Sequence, residues 1–480
     1  MRPHSWFPAR IRTVAAWLAV VAAAACSDPP PTAVAAAADT GLGLDAAADV
    51  VAPDVTADTA TDAAADSQAD AVKADTPDAA TDLGPGDVGL PTPVTVPSDL
   101  PAGVVAFHLG VAGLDTVGKS KDYKLNLPAD AVSALVVVRG HHPGFFQVSK
   151  IVAPNGALLA KGKCGTEPCI ECLNRVGPMP ATGGALLPSS TGVAAFAGNW
   201  TFGSCGFQWQ KQGGTFAPAP FVGPAVETVA FVRSAPGGVA KGGRLQLRLF
   251  CTGGGGITAA AALKDVRVVN MLTGAKLIFG AIGIELALID VRDTAPGHTV
   301  IELPEDLTTT GASDLDLLFA EAATVGGSAV IDLFLVDQLL GGSESKGIVG
   351  GVAGGIPGPA FFHGIPRAGI AIALGNQGKE GALLGRILAH EIGHFLGLWH
   401  PSEHNGKAFD PIDDTPECTA AKDADKDGSV SLEECAALGA DNVLFWTALP
   451  KPAVLSPGQA EIVRGHPLLL PMAVTATGTP

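Results

Sequence analysis

The stretch that most constrains this chain is Leu388-Ala389-His390-Glu391-Ile392-Gly393-His394-Phe395-Leu396-Gly397-Leu398-Trp399-His400, which reads H-E-x-x-H-x-x-G-x-x-H. On a helix, His390 and His394 stand four residues apart and leave the same face. Two imidazole nitrogens at that spacing can reach one zinc ion at about 2.0–2.1 Å. Glu391 shares the helix but points beside the metal, where its carboxylate can take a proton from an attacking water. Gly397 is free to adopt positive φ, which ends the helix and turns the chain back so that His400 arrives as a third ligand. Three protein ligands leave a fourth position open, the arrangement of a catalytic rather than a structural zinc site.

This motif resembles the extended zinc signature of the metzincin metalloproteases. Further on, Asp410-Pro411-Ile412-Asp413-Asp414-Thr415-Pro416 contains a D-D-T-P run similar to that of the pappalysin branch. The resemblance implies hydrolysis of peptide bonds in a protein or peptide substrate, with Glu391 as the base. It also implies a substrate that pairs with a strand bordering the cleft upstream of the zinc helix, a place held here by Ala368–Leu374. Metzincins place a methionine turn beneath the zinc. In the matching segment, Asp441–Trp446, Leu444 stands at the methionine position, as a hydrophobic floor of similar volume. Trp446 stands where some members use a tyrosine; its indole nitrogen can donate but cannot ligate. The only tyrosine is Tyr123, in the preceding domain. The sequence therefore assigns no protein group to the oxyanion. The rival class is a catalytically inactive relative acting as a surface binding or adhesion protein; the intact His390, Glu391, His394 and His400 weigh against it.

Asp423-Ala424-Asp425-Lys426-Asp427-Gly428-Ser429-Val430-Ser431-Leu432-Glu433-Glu434 fits a calcium loop of the EF-hand type. Asp423, Asp425 and Asp427 supply carboxylates, Gly428 the sharp turn and Ser429 its carbonyl. Ser431 acts directly or through water, and Glu434 is the bidentate last ligand. Flanking helices are not evident, so a single loop is expected. Cys418 and Cys435 bracket it and are expected to pair, stabilising by about 3 kcal/mol if unstrained.

The N-terminus follows an export pattern. Arg2, Arg10 and Arg12 precede the short apolar run Val14–Ala25, which is too short to span a bilayer. Ala23-Ala24-Ala25-Cys26 resembles a bacterial lipoprotein signal, with lipid on Cys26; ordinary cleavage after Ala25 is the other route. Both take the mature chain out of the cytoplasm, to the cell envelope (the outer membrane, if lipid-anchored) or the medium. Residues 26–100 are a linker rich in Ala, Asp, Thr and Pro. Asp recurs at 54, 58, 62, 66, 70, 75, 78 and 82, opposed only by Lys73. Like charges at that spacing repel on a helix, so the segment is expected to be an extended tether. It carries most of the net charge of −17, which argues against a nucleic-acid partner. Outside the N-terminus no run of about 20 apolar residues occurs.

Two folded domains are expected. Residues 101–255 show many short apolar runs between Gly and Pro turns, read as an all-β sandwich. The strictly alternating Arg244–Phe250 reads as one of its half-buried strands. Cys164, Cys169, Cys172, Cys205 and Cys251 are disulfide candidates in an exported chain, of open connectivity. A zinc knuckle and an iron–sulfur ligand set share the Cys164–Cys172 spacing. Residues 256–480 alternate helices and strands, which gives an α/β domain with a mixed sheet and the zinc-binding helix packed on it. The helices are Leu263–Ile282, interrupted at Gly274, Asp314–Ala323 capped by Ser313, the zinc helix, and one opened by Ser456 and Pro457. The strands are Ile284–Val291, Ala329–Leu335 and Ala368–Leu374. The uncharged Gly347–Ile365 is expected to be a loop.

Overall fold

The computed structural model describes residues 97–472, except 141–143, 163–174, 192–196, 213–214, 224, 304–312, 328, 342–348, 376–380 and 448–452. The export segment, Cys26, the linker and Cys164, Cys169 and Cys172 lie outside the described residues.

Ten strands open the described chain: β1 (Val104–Gly113), β2 (Tyr123–Leu127), β3 (Ala131–Arg139), β4 (Phe145–Val152), β5 (Leu158–Lys161), β6 (Gly177–Pro180), β7 (Thr182–Leu187), β8 (Gly198–Gln212), β9 (Thr215–Pro220) and β10 (Ala225–Ser234). They form one antiparallel sheet in the order β1-β10-β3-β7-β6-β4-β8-β2, with β5 on β4 and β9 on β8. The expected sandwich of separate sheets is thus a single curled sheet. The short β6 joins its halves by pairing with both β7 and β4. Side-chain alternation shows why. On β3, Ala134, Val136 and Val138 enter a core enclosed by the curl, with Phe146, Trp200 and Phe202. Leu135 and Val137 point the other way, into a second core, as do Leu186 of β7 and Val229 and Phe231 of β10.

That second core is shared with the following layer. Its sheet contains β11 (Gly243–Cys251), β12 (Ile284–Asp293), β14 (Val330–Val336), β16 (Gly351–Ala353) and β17 (Ile370–Ala373). The order is β12-β11-β14-β17-β16, parallel except for the antiparallel edge strand β16. Short β13 (Val300–Glu302) and β15 (Gln338–Leu340) pair beside it. The helices are α1 (Ala259–Ala262), α2 (Val266–Ala281), α3 (Asp314–Ala320), α4 (Gly381–Phe395) and α5 (Pro457–Gly465). Asp265 caps α2, while Ser313 and Ser456 form capping boxes at α3 and α5.

Expectations about β11, β16 and β17 are corrected here. The strand at Arg244–Phe250 does not belong to the curled sheet: β11 lies inside the mixed sheet, so the boundary at 255 falls one strand too late. Nor is it half-buried throughout. Arg248 is buried because Asp332, its register partner on β14, accepts its Nε at 2.8 Å. The five candidate cysteines of this region are an odd number, which leaves one thiol over: Cys251, at the end of β11, is free and buried, whereas Cys205 is in a disulfide whose partner lies outside the described residues. The uncharged stretch expected as a loop supplies β16, so the edge strand is Gly351–Ala353 and the expected Ala368–Leu374 strand is internal.

Gly274 does not interrupt α2. It is where α2 crosses the motif-bearing helix α4, against Gly385. A Cβ on Gly385 would stand 2.7 Å from the Cα of Gly274, and one on Gly274 would stand 2.9 Å from the Cα of Gly385. Backbone that close cannot yield. Gly385→Val is expected to lower unfolding free energy by about 2–3 kcal/mol or more, read from the urea midpoint. Gly280→Ala, on the exposed face of α2 with nothing within 4 Å, is expected to be neutral or to stabilise by up to about 1 kcal/mol. Equal midpoints for the two variants would contradict the crossing.

Candidate metal centre

The helix α4 runs to Phe395, after which Gly397 at φ +96° turns the chain. A Cβ there would press on Leu186 of the curled sheet, at 3.1 Å. The turn brings His400 back to the helix. Nε2 of His394 lies 3.0 Å from Nε2 of His400, which is 3.3 Å from Nε2 of His390. Tetrahedral ligands at about 2.1 Å from one ion would stand about 3.4 Å apart. His394 is buried, while His390 and His400 keep partly exposed sides.

Each ring is fixed through its other nitrogen. Nδ1 of His390 lies 2.9 Å from the carbonyl of Val443, Nδ1 of His394 lies 2.8 Å from that of Leu398, and Nδ1 of His400 lies 2.8 Å from the Glu403 carboxylate. These oxygens only accept, so all three Nδ1 atoms carry the proton and donate. The three Nε2 atoms then hold bare lone pairs aimed at one another, an acceptor set that a cation can satisfy all at once. Burial, then the charge of His400, pushes His390 down to about 3. Burial and both neighbouring rings push His394 well below its ordinary value. Neutral imidazoles at 3.0–3.3 Å are the donor set that fits zinc.

The carbonyl that holds His390 belongs to the turn beneath the helix. Asn442 accepts from the N–H of Leu444 at 2.8 Å and exchanges amide hydrogen bonds with Gln459 of α5. Arg386 of α4 donates to the carbonyls of Ala440 and Asn442 at 3.0 and 2.8 Å. Leu444 is fully buried, and a Cβ on Gly393, between the two helical histidines, would meet it at 2.9 Å. It packs under the helix between His390 and His394. The D-D-T-P run holds α5 in place, since Asp414 accepts from the Ser456 hydroxyl at 2.6 Å and from the Gly458 N–H at 2.7 Å. Trp446 is committed elsewhere: its indole N–H donates to Val430 at 2.9 Å, so it does not supply an oxyanion donor.

Glu391 is buried and faces the edge strand. A Cβ on Gly351 would meet its Cγ at 2.7 Å, and the N–H of Ala353 donates to its carboxylate. Burial pushes its carboxyl up to about 8 against that hydrogen bond.

The acidic loop is only partly gathered. Carboxylate oxygens of Asp423, Asp425 and Glu434 lie within 4.8 Å of one another. Asp427 is not among them and accepts the Ser429 N–H at 2.8 Å. Glu434 accepts from the N–H groups of Ala424 and Ser431, and Ser431 Oγ from that of Glu434. Gly428 takes φ +91° as the sharp turn requires. Cys418 and Cys435 form the expected disulfide, which packs with Val430 and Phe445.

Sequence reasoning missed Glu403, Arg386, Asn442 and Gln459. Glu403, three residues past His400, was the one within reach of a local signal.

No family model and no curated protein matches the chain. Among solved structures it is similar to metalloproteinase-II from Bacteroides fragilis, at 14% identity over 38% of this chain and 58% of that chain, with a TM-score of 0.22. The chain spans little more than half of that protein, and a likeness at this level carries no argument about fold or activity.

Leu444→Met is expected to cost less than about 1.5 kcal/mol and leave zinc stoichiometry unchanged. Leu444→Ala should cost about 2–5 kcal/mol and loosen the turn that carries Val443. Urea unfolding and zinc content of the purified variants test this, and an Ala variant as stable as wild type would remove the floor role.

Proposed function

We propose that the chain is a zinc-dependent endopeptidase of the metzincin type, pappalysin-like in branch, that hydrolyses peptide bonds in proteins. The observation that carries this reading is the convergence of His390, His394 and His400 through nitrogens kept free by their Nδ1 hydrogen bonds, with Glu391 beside them on the same helix. Bound there, zinc would supply Lewis acidity and acidify water. Glu391 accepts the proton of the attacking water and delivers it to the leaving amine. Its pKa near 8 belongs to the chain without a cation, and a neighbouring positive charge would restore the ionised form. An extended substrate adds to the edge of β16, with main-chain hydrogen bonds setting its direction past Glu391.

Calcium in the loop 423–434 would be structural. Asp423, Asp425 and Glu434 are already close, and Asp427, Ser429 and Ser431 would join them to complete the set. Trp446 ties this loop to the turn under His390, so a filled loop would steady that turn. Export, with lipid on Cys26 and residues 26–100 as a tether, would place the enzyme at a membrane surface.

Glu391→Ala should retain one zinc per chain and lose casein hydrolysis by about 10²–10⁴-fold. Wild type and variant that both hold zinc and cleave equally little would leave only a binding protein. For calcium, the chain stripped with EGTA and re-supplied with zinc alone should melt below its Tm with calcium restored. An unchanged Tm removes the structural ion.

A further inference from the structure

We propose that Arg175, from the curled β-sheet region, is a positioning residue for the metal centre, acting through Glu403 on His400. This rests on the zinc reading above. Arg175 precedes β6 and is 228 residues from Glu403 in sequence, yet its side chain is fully buried in the loop that follows the third histidine. Its Nη1 donates to the carbonyl of Phe409 at 2.8 Å, and its Nη2 lies 3.5 Å from Oε1 of Glu403. The guanidinium stacks over Trp399, 4.2 Å from the ring centroid, and Trp399 is the neighbour of His400. The backbone N–H of Arg175 is itself held by Ser189 at 3.1 Å.

These contacts grip both ends of the segment 399–409. The other carboxylate oxygen of Glu403, Oε2, is the acceptor that fixes Nδ1 of His400. A carboxylate in that place orients the ring, sets its tautomer and raises the basicity of the ligating nitrogen. Glu403 is itself 2% exposed, so its charge needs a buried counter-charge to persist. Arg175 supplies one beside His400 and His404, and its planar fork reaches two acceptors that a point charge cannot hold together. The β-rich region thereby contributes to the metal site without touching the metal. Removing Arg175 takes away the arginine counter-charge of Glu403, leaving it only His400 and His404, and frees the loop that presents the third ligand.

The test measures zinc affinity of the full-length chain by competition with a chromophoric chelator, with cobalt(II) spectra reporting the ligand field. Arg175→Met and Glu403→Gln should each weaken zinc binding by about 10–100-fold and perturb the cobalt bands. The double variant should bind as weakly as the worse single one, because both act through one contact. Arg175→Lys, which keeps the charge but not the fork, should recover only part of the affinity that Arg175→Met loses. An Arg175→Met variant that binds zinc within about threefold of wild type overturns the proposal, as do losses that multiply in the double variant. If Arg175→Met does not fold, Glu403→Gln and Arg175→Lys decide, and wild-type affinity in both overturns it. A wild-type chain that takes up no zinc ends the metal reading and this proposal with it, whereas tight wild-type binding with unaltered variants ends this proposal alone.

Discussion

Three hydrogen bonds from imidazole Nδ1 atoms hold the rest of this structure to account. Each sends one proton to an oxygen and so commits the opposite nitrogen to being a bare donor. Three such donors facing one another repel, and the fold has to keep them there without help from the ligands themselves. The acceptors come from three sources. Leu398 belongs to the turn that ends α4, Val443 to the turn beneath the helix, and Glu403 to the loop beyond His400. Each source is then secured by further contacts, which explains why so much buried polar chemistry surrounds this one spot.

The supports are graded by distance. Under His390, the Asn442–Gln459 amide pair joins α5 to the turn, Arg386 ties that turn to α4, and Asp414 fastens the first turn of α5. On the other side, Arg175 enters from the curled sheet. The curled sheet also shares its outer face with the mixed sheet. Leu135, Val137, Leu186, Val229 and Phe231 lie in the same core as Leu384, Leu388 and Ile392 of α4. Arg233 reaches the carbonyls of Arg464 and His466, at the C-terminal end of α5. The β-rich region is therefore built into the support of the site and is not an appendage to it.

Much of the local structure was legible before any tertiary contact was known. Ser313 and Ser456 mark helix starts because their short side chains reach N–H groups one turn in, a purely local geometry. Gly397 and Gly428 mark turns for the same reason, having no Cβ to resist positive φ. Allegiance between strands was not legible. The alternation of Arg244–Phe250 fits any half-buried strand. Only pairing with Ile284–Asp293 and Val330–Val336 shows which sheet owns it, and only Asp332 explains the buried Arg248. Gly351–Ala353 was hidden by its brevity and its glycines, although it is the strand that Glu391 faces.

The sequence alone determined which residues meet at the centre. The four-residue spacing of His390 and His394, the glycine turn and His400 follow from helix periodicity and backbone sterics, which act over a few residues. Tertiary structure decided which nitrogen of each ring is free, which strand borders the base, and who balances Glu403. Those depend on acceptors and counter-charges brought from up to 228 residues away. A hydrogen bond or a buried ion pair has no sequence period by which it could be read in advance.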